Sequence, residues 1–263
     1  MELYNAVIKK AEELLGSSAP KKYAYNSSKG WKENSNFELV MARDAAYELG
    51  GNGKTAVSFT CVTTSSELVN GDEILVYGPE LAEIKEDSTY ARITVIKVGD
   101  IESGDDDYAD DFDDDFSASA APVVENTEET FREIQAMDFT KYHVFPEGFM
   151  MRTSTEANRE HVRISKEAIK GGISFEKIGN TFIKHYKENP KVLNVKQIFV
   201  TASDANYGEL VKCAKNVHDI TMTLTKILEG MPTDCSSCGL KPICDEVEGM
   251  RELHFGKKDI NKD

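Results

Sequence analysis

Apolar residues recur with two different periods along the chain, and each period predicts a different kind of element. Where the period is helical, the sequence predicts helices over residues 3–15, 37–49, 127–137, 166–170, 175–188 and 207–217. Runs rich in β-branched residues predict strands over residues 55–64, 73–77, 89–98, 161–164 and 192–201. Residues 220–228 fit either a helix or a strand, because their apolar positions are interleaved with β-branched ones.

Local signals set the ends of several predicted elements. Ser165 and Ser174 each precede a predicted helix, and a serine at this position accepts a hydrogen bond from the first turn. Gly50 follows the predicted helix 37–49 as a C-terminal glycine. Residues 139–152 are aromatic and follow neither period, so we expect irregular structure there.

Two single residues have an expected structural role. Cys61 lies within a predicted strand, where a cysteine most often behaves as a small buried apolar residue. Trp31 is the only tryptophan and lies in the polar connector 17–36, where we expect it to anchor a core or a hinge.

These elements predict an α+β (mixed α/β) fold, with small sheets flanked by helices and a C-terminal cysteine-rich metal loop. The predicted organisation has four parts. They are an N-terminal α/β subdomain at residues 1–102, an acidic linker or disordered insertion at 103–125, a second α/β subdomain of the same domain at 126–229, and a cysteine-rich metal-binding tail at 230–263.

Composition and charge narrow the classes of function. The net charge of −15 makes nucleic acid and anionic membranes poor partners. Hydrophobic residues make up 40% of the chain, which suits a core-forming protein, and no stretch approaches a membrane span. The odd number of cysteines, five, argues against a secreted disulfide framework, so we expect a cytoplasmic protein.

The acidic segment contains eight aspartates between Asp105 and Asp115. Like charges at this density repel one another and bury almost nothing, which favours a solvated linker. The alternatives are a docking element for a basic partner and weak Ca²⁺ binding, although the spacing matches no EF-hand loop.

Three cysteines near the carboxyl end, Cys235, Cys238 and Cys244, form the pattern C-x2-C-x5-C. Soft thiolate ligands suit iron–sulfur clusters and zinc. A single close group without a second pair is more typical of a [4Fe–4S] cluster than of a closed zinc tetrahedron. The remaining alternative is a loop of reduced cysteines, with Cys235 and Cys238 at most a redox pair. Candidate fourth ligands are Cys213, Asp245, His254, a partner chain or a substrate.

A helix predicted over residues 245–253 would direct its N-terminus at the cysteines, where its dipole favours negative charge. The sequence contains no G-x-S-x-G, P-loop or G-x-G-x-x-G motif that would indicate a different chemistry.

Several segments, taken in order, resemble the middle domain of acetyl-CoA synthase, the β subunit of the CO dehydrogenase/acetyl-CoA synthase complex. The segments are residues 44–51 (Asp-Ala-Ala-Tyr-Glu-Leu-Gly-Gly), 54–57 (Lys-Thr-Ala-Val), 69–80 (Val-Asn-Gly-Asp-Glu-Ile-Leu-Val-Tyr-Gly-Pro-Glu), 161–166 (His-Val-Arg-Ile-Ser-Lys), 172–179 (Gly-Ile-Ser-Phe-Glu-Lys-Ile-Gly) and 195–198 (Val-Lys-Gln-Ile). Together they span the greater part of the chain, and their order and spacing make the resemblance specific.

The resemblance implies a metal-bearing domain that opens with C-x2-C, and Cys235 and Cys238 match that pair in position. The sequence departs from the family beyond this point, because the third cysteine comes early and the C-x-C pair that would hold the distal nickel is absent. His161 or a neighbour stands where the family has a CoA-contacting tryptophan. The resemblance therefore implies a related scaffold and not a complete acetyl-CoA synthase.

Three functional hypotheses follow. The first is an iron–sulfur accessory, electron-transfer or partner-docking subunit of anaerobic one-carbon metabolism, acting with CO dehydrogenase, a corrinoid protein or a ferredoxin. The second is a zinc-stabilised, non-redox binding module. The third is an enzyme that uses an open iron site of a cluster as a Lewis acid, for which the sequence offers no acid–base pair.

Overall fold

The computed structural model describes residues 2–34, 42–50, 55–99, 127–154 and 159–228. The fold is mixed α+β with two small sheets flanked by helices, as the sequence predicts. The described helices are α1 (Glu2–Glu12), α2 (Thr127–Thr140), α3 (Lys166–Lys170), α4 (Phe175–Tyr186) and α5 (Tyr207–Leu228). The described strands are β1 (Lys21–Ala24), β2 (Ala46–Leu49), β3 (Ala56–Thr63), β4 (Glu73–Tyr77), β5 (Tyr90–Val98), β6 (Phe149–Ser154), β7 (Arg159–Ser165) and β8 (Val192–Val200).

The larger sheet has five described strands in the order β1-β4-β8-β5-β3. Strand β8 lies at its centre and pairs parallel with β4 and antiparallel with β5, so that Ile198 lies opposite both Leu75 and Ile93. Strand β3 runs parallel to β5 and is buried along its whole length. Near-continuous apolar runs are typical of strands covered on both faces, which explains why these segments were recognisable in the sequence.

Helix α4 covers one face of this sheet, against β4 and β8. Its buried residues Phe175 and Phe182 recur at helical spacing, and the Phe175 ring stacks on Phe199 of β8 with 4.7 Å between ring centres. Gly179 allows the close approach, because a β-carbon there would lie 2.7 Å from the Ile74 side chain. Helix α1 packs against β3.

The smaller sheet has three described strands in the order β2-β7-β6, all antiparallel. Its central strand β7 packs against β3 of the larger sheet. A buried ion pair links the two sheets: Arg92 of β5 donates to both carboxylate oxygens of Glu160 of β7, at 3.1 and 2.7 Å. The Arg92 guanidinium also lies 4.4 Å from the centre of the Phe182 ring.

Three expectations from the sequence need correction or completion. The helix predicted over 37–49 is wrong at its end, because Ala46–Leu49 is a strand that pairs with β7, and tertiary pairing overrides local propensity. Gly50 is therefore a turn glycine with φ +86°, not a helix cap. Residues 139–152 are not wholly irregular, since α2 continues to Thr140 and β6 begins at Phe149.

The ambiguous stretch 220–228 is helical and continues α5 without a break. The buried residues Leu210, Ala214 and Val217 of this helix keep a helical period that Ile220 extends, and this period outweighs the strand preference of the β-branched residues.

The chain divides into two compact units. Met1–Gly99 and Gln135–Thr221 form the first, and both sheets belong to it. The second comprises Asp100–Ile134 and Met222–Asp263, in which the structure describes residues 127–134 and 222–228, both helical.

The predicted acidic linker 103–125 and the tail 230–263 lie outside the described residues. No helix in the described part of the chain is long and apolar enough to cross a membrane.

Candidate functional site

The predicted metal ligands Cys235, Cys238 and Cys244 lie outside the described residues, as do the alternative ligands Asp245 and His254. The described chain reaches the end of α5 at Leu228, shortly before the cysteine-rich segment. Among the residues that the structure does describe, no group of three or more His, Cys, Asp or Glu side chains is placed to hold a metal ion.

The other two cysteines are buried free thiols of the first unit. Cys61 on β3 has no exposed surface, which confirms its expected role as a small apolar residue, and Cys213 on α5 is 5% exposed. Burial raises the pKa of both thiols. Because the thiolate is the form that binds metals and attacks disulfides, burial disfavours both reactions at these two thiols.

A cleft of about 720 Å³ opens on the first unit. Its walls come from residues that follow β1, from the turn before β6, from β6 itself and from the start of α3. Aromatic and thioether side chains line much of it: Trp31, Tyr142, Phe145, Phe149, Met150 and Met151. The volume falls within the roughly 300–1,000 Å³ that small-molecule sites occupy, and the lining has their usual mixture of apolar surface and a few polar groups.

Hydrogen bonds fix the segment that follows β1 against the turn before β6. The Glu147 amide donates to the Lys32 carbonyl at 2.8 Å, and the Asn34 amide donates to the Phe145 carbonyl at 2.9 Å. The Trp31 indole Nε1 donates to the Glu147 carbonyl at 2.8 Å. Trp31 is thus a half-buried anchor between two chain segments and also a wall of the cleft, so that the cleft is formed before any ligand binds.

Gly148 brings the chain close to α3 on one side of the cleft. Its φ of +77° lies in the region that favours glycine, and an added β-carbon would contact the Ala168 side chain. The Ser165 amide donates to the Gly148 carbonyl at 2.8 Å. Ser165 also caps α3 by accepting from the Ala168 amide, as predicted from the sequence.

Three cations among the described residues line the cleft, and two of them have carboxylate partners. Lys32 Nζ lies 2.6 Å from Glu147 Oε1. Lys141 is 2% exposed, and its Nζ donates to Asp138 Oδ1 at 2.7 Å. Burial lowers the pKa of Lys141, but the Asp138 carboxylate and neighbouring groups raise it more, so the ammonium stays charged. Arg152 is exposed and has no ion-pair partner among the described residues.

A charged cluster outside the cleft lies between β2 and β7. The Glu48 carboxylate is 4% exposed and accepts from Arg163 Nε at 3.0 Å, while His161 Nε2 lies 3.5 Å away. The resemblance predicts that His161 or a neighbour takes the position of the family's CoA-contacting tryptophan. The His161 side chain lies next to Glu48, and His161 is not among the residues that line the cleft.

The segments that carry the resemblance contact one another in the first unit. Residues 46–49 pair with residues 162–165 in the smaller sheet, and residues 73–77 pair with residues 196–200 in the larger sheet. Helix α4, which begins within the segment 172–179, packs on both strands of the second pair.

No protein-family model matches the chain, and a search of curated proteins also found no match. The resemblance to acetyl-CoA synthase therefore depends on the sequence segments themselves.

The sequence did not predict the cleft. Its lining residues come from three separate stretches, and the hydrogen bonds that join them link residues more than a hundred positions apart. The aromatic composition of residues 139–152 was the available signal, because exposed aromatic residues without a period often belong to a binding surface.

Proposed function

We propose that this protein is an iron–sulfur protein related to acetyl-CoA synthase, with a [4Fe–4S] cluster bound by Cys235, Cys238 and Cys244. It acts as an accessory subunit in anaerobic one-carbon metabolism, where it transfers electrons or docks a partner. The C-x2-C-x5-C spacing is the observation that carries the proposal, because it places three soft ligands in one short segment.

The placement of the other cysteines supports this assignment. Cys61 and Cys213 are buried thiols with raised pKa values, so neither is available as an exposed thiolate. Cys235, Cys238 and Cys244 are therefore the proposed thiolate ligands, and Cys213 stays a candidate for the fourth position only.

The fourth ligand stays open among Cys213, Asp245, His254, a partner chain and a substrate. Burial raises the pKa of the Cys213 thiol, which disfavours the thiolate as long as no metal is bound. The hypothesis of an enzyme with an open iron site uses the same three cysteine ligands as the electron-transfer hypothesis, but it has a substrate at the fourth position.

The partner is CO dehydrogenase, a corrinoid protein or a ferredoxin, and the compartment is the cytoplasm. The net charge of −15 supports docking to a basic surface rather than to nucleic acid. The 263 residues contain no C-x-C pair, so the proposal does not include a nickel site.

Metal analysis of the full chain, purified without oxygen, tests the proposal. We expect about four iron and four acid-labile sulfide per chain, with a brown colour and broad visible absorption. Replacement of Cys235, Cys238 or Cys244 by alanine should remove most of the iron, since each thiolate holds one corner of the cluster.

The matched control is Cys61→Ala, which should keep the iron because this thiol lies in the core. Cys213→Ala and His254→Ala test two candidates for the fourth ligand, and loss of iron in either variant would identify it. Full iron in Cys238→Ala would exclude the ligand assignment. Zinc without iron in the unmodified protein would replace the cluster with a structural zinc site and make the protein a non-redox binding module.

A further inference from the structure

We infer that the cleft binds a small molecule with a planar aromatic body and one acidic group, and that the acidic group binds at Arg152. The inference does not depend on the iron–sulfur proposal, since all the residues that carry it lie in the first unit.

The apolar part of the lining indicates the body of the ligand. Trp31, Tyr142 and Phe145 are each half-buried, so their rings keep exposed surface at the cleft. Met150 and Met151 add polarizable thioethers, which make favourable contacts with aromatic rings. Flat aromatic groups stack on such surfaces and gain more than their buried area alone provides.

The charges of the lining indicate the acidic group. Lys32 and Lys141 already have carboxylate partners in Glu147 and Asp138. Arg152 is the lining cation without such a partner among the described residues, and a guanidinium binds carboxylates and sulfonates with two parallel hydrogen bonds.

The strand register separates this cation from the exposed acid of the cleft, Glu167. Phe149 of β6 lies opposite Ile164 of β7. From that pair, Arg152 lies three residues further along β6, about 10 Å away. Glu167 lies in the opposite direction, beyond the end of β7 in α3. Among the described lining residues, the exposed guanidinium of Arg152 and the exposed carboxylate of Glu167 therefore lie apart, which favours an acidic group at Arg152.

Two fluorescent probes of nearly the same shape test the inference on the full chain. One is 8-anilinonaphthalene-1-sulfonate, which is aromatic and anionic, and the other is N-phenyl-1-naphthylamine, which is its neutral counterpart. Trp31 is the only tryptophan and lines the cleft, so energy transfer from tryptophan reports on a probe bound in its neighbourhood. The variants of lining residues then show whether that probe lies in the cleft. We expect saturable transfer for both probes and tighter binding of the sulfonate.

The variant Arg152→Gln should weaken binding of the sulfonate about tenfold, as loss of a hydrogen bond to a charged group predicts, and leave the neutral probe unchanged. Met151→Ala should weaken both probes, because it removes apolar lining. Lys22→Gln is the matched charge control, since Lys22 is exposed and lies on β1 outside the cleft. It should change neither affinity.

Circular dichroism should show the same folded content in all variants. Absence of saturable energy transfer in the unmodified protein would overturn the inference. An equal loss of affinity for both probes in Arg152→Gln would exclude binding of the acidic group at Arg152. If Lys22→Gln weakened the sulfonate as much as Arg152→Gln does, the preference for the sulfonate would reflect general charge attraction and not a contact in the cleft.

Discussion

Gly78 shows at the scale of one residue how tightly the larger sheet constrains the chain that leaves it. It follows β4 with φ +98°, and a β-carbon there would collide with the backbone of Thr201 and Ala202, which follow β8. The amides of these two residues both donate to the Tyr77 carbonyl, at 2.8 and 3.0 Å. A side chain at position 78 would therefore strain the backbone, and it would also clash with the neighbouring chain segment.

Gly78→Ala should therefore lower the free energy of unfolding by at least about 1–3 kcal/mol from backbone strain, with the steric clash in addition. Urea unfolding followed by circular dichroism measures the change. Gly208→Ala is the control, because Gly208 lies in α5 with its nearest neighbouring atom 3.7 Å from the added carbon. It should be neutral or stabilising by up to about 1 kcal/mol. Equal stability of the two variants would contradict the argument.

Single residues were predictable where the signal is local. Ser165 and Ser174 cap α3 and α4 as expected, because a cap depends only on the next three residues. Ala6 is an apolar residue of the first helix, but it is exposed, whereas Tyr4 and Ile8 are buried. The buried side of a helix depends on what packs against it, which the sequence does not state.

Elements were predictable where burial on both sides makes the whole segment apolar. Strands β3, β5 and β8 follow their predicted ranges to within one or two residues. Strand β2 was not predictable, because its partner β7 lies more than a hundred residues later and its four residues have no period of their own.

The ion pair between Arg92 and Glu160 is the main polar link between the two sheets in the described residues. Its side chains are 2% and 0% exposed. Burial lowers the pKa of Arg92, but the Glu160 carboxylate raises it more, so the guanidinium is charged in the core. Removal of either partner leaves the other charge buried and unpaired.

Glu160→Gln should lower the free energy of unfolding by about 3–5 kcal/mol. The double replacement Arg92→Met with Glu160→Leu should cost less than either single change, because it leaves no buried charge. Urea unfolding of Arg92→Met, of Glu160→Leu and of the double variant gives the comparison. Lys21→Met is the exposed control, because the Lys21–Glu83 pair is largely solvent-exposed, and it should cost at most about 1 kcal/mol. Additive costs in the double variant would contradict the argument.

At the scale of the whole molecule, the fold class was predictable from the sequence, but the order of the strands in the sheets was not. The two periods of the sequence were sufficient for an α+β fold with small sheets. They did not predict that β8 lies between β4 and β5, because strand order depends on contacts between distant segments. The cleft was beyond prediction for the same reason. The cysteine spacing of the tail is a local pattern and therefore visible in the sequence, but the metal site that it predicts lies outside the described residues and stays a prediction.

Buried tyrosines give the whole molecule a predicted response to alkaline pH. Burial raises the pKa of Tyr4, Tyr90 and Tyr186 above their ordinary value of 10.0. Burial and the hydrogen bond to Glu80 raise the pKa of Tyr23 to about 12. Each folded pKa is thus above that of the unfolded chain, so the neutral phenols contribute stability that is complete below about pH 10 and is lost as the pH rises.

The free energy of unfolding should therefore fall as the pH rises above about 10, and ultraviolet absorbance should show tyrosinate forming together with unfolding. Tyr23→Phe should flatten the part of this slope between about pH 10 and 12, because it removes one titrating group. A stability that stays constant from about pH 10 to 12 would contradict the assignment of these residues as buried phenols.

The central position of β8 has a consequence for synthesis of the protein on the ribosome. Strands β4 and β5 are made long before β8, yet in the finished sheet each hydrogen-bonds along one edge to β8. Until residues 192–200 emerge, both nascent strands keep unpaired edges of the kind that aggregate. Folding is therefore late and dominated by distant pairings, which makes it slow, and a chaperone that shields those edges during translation would raise the yield.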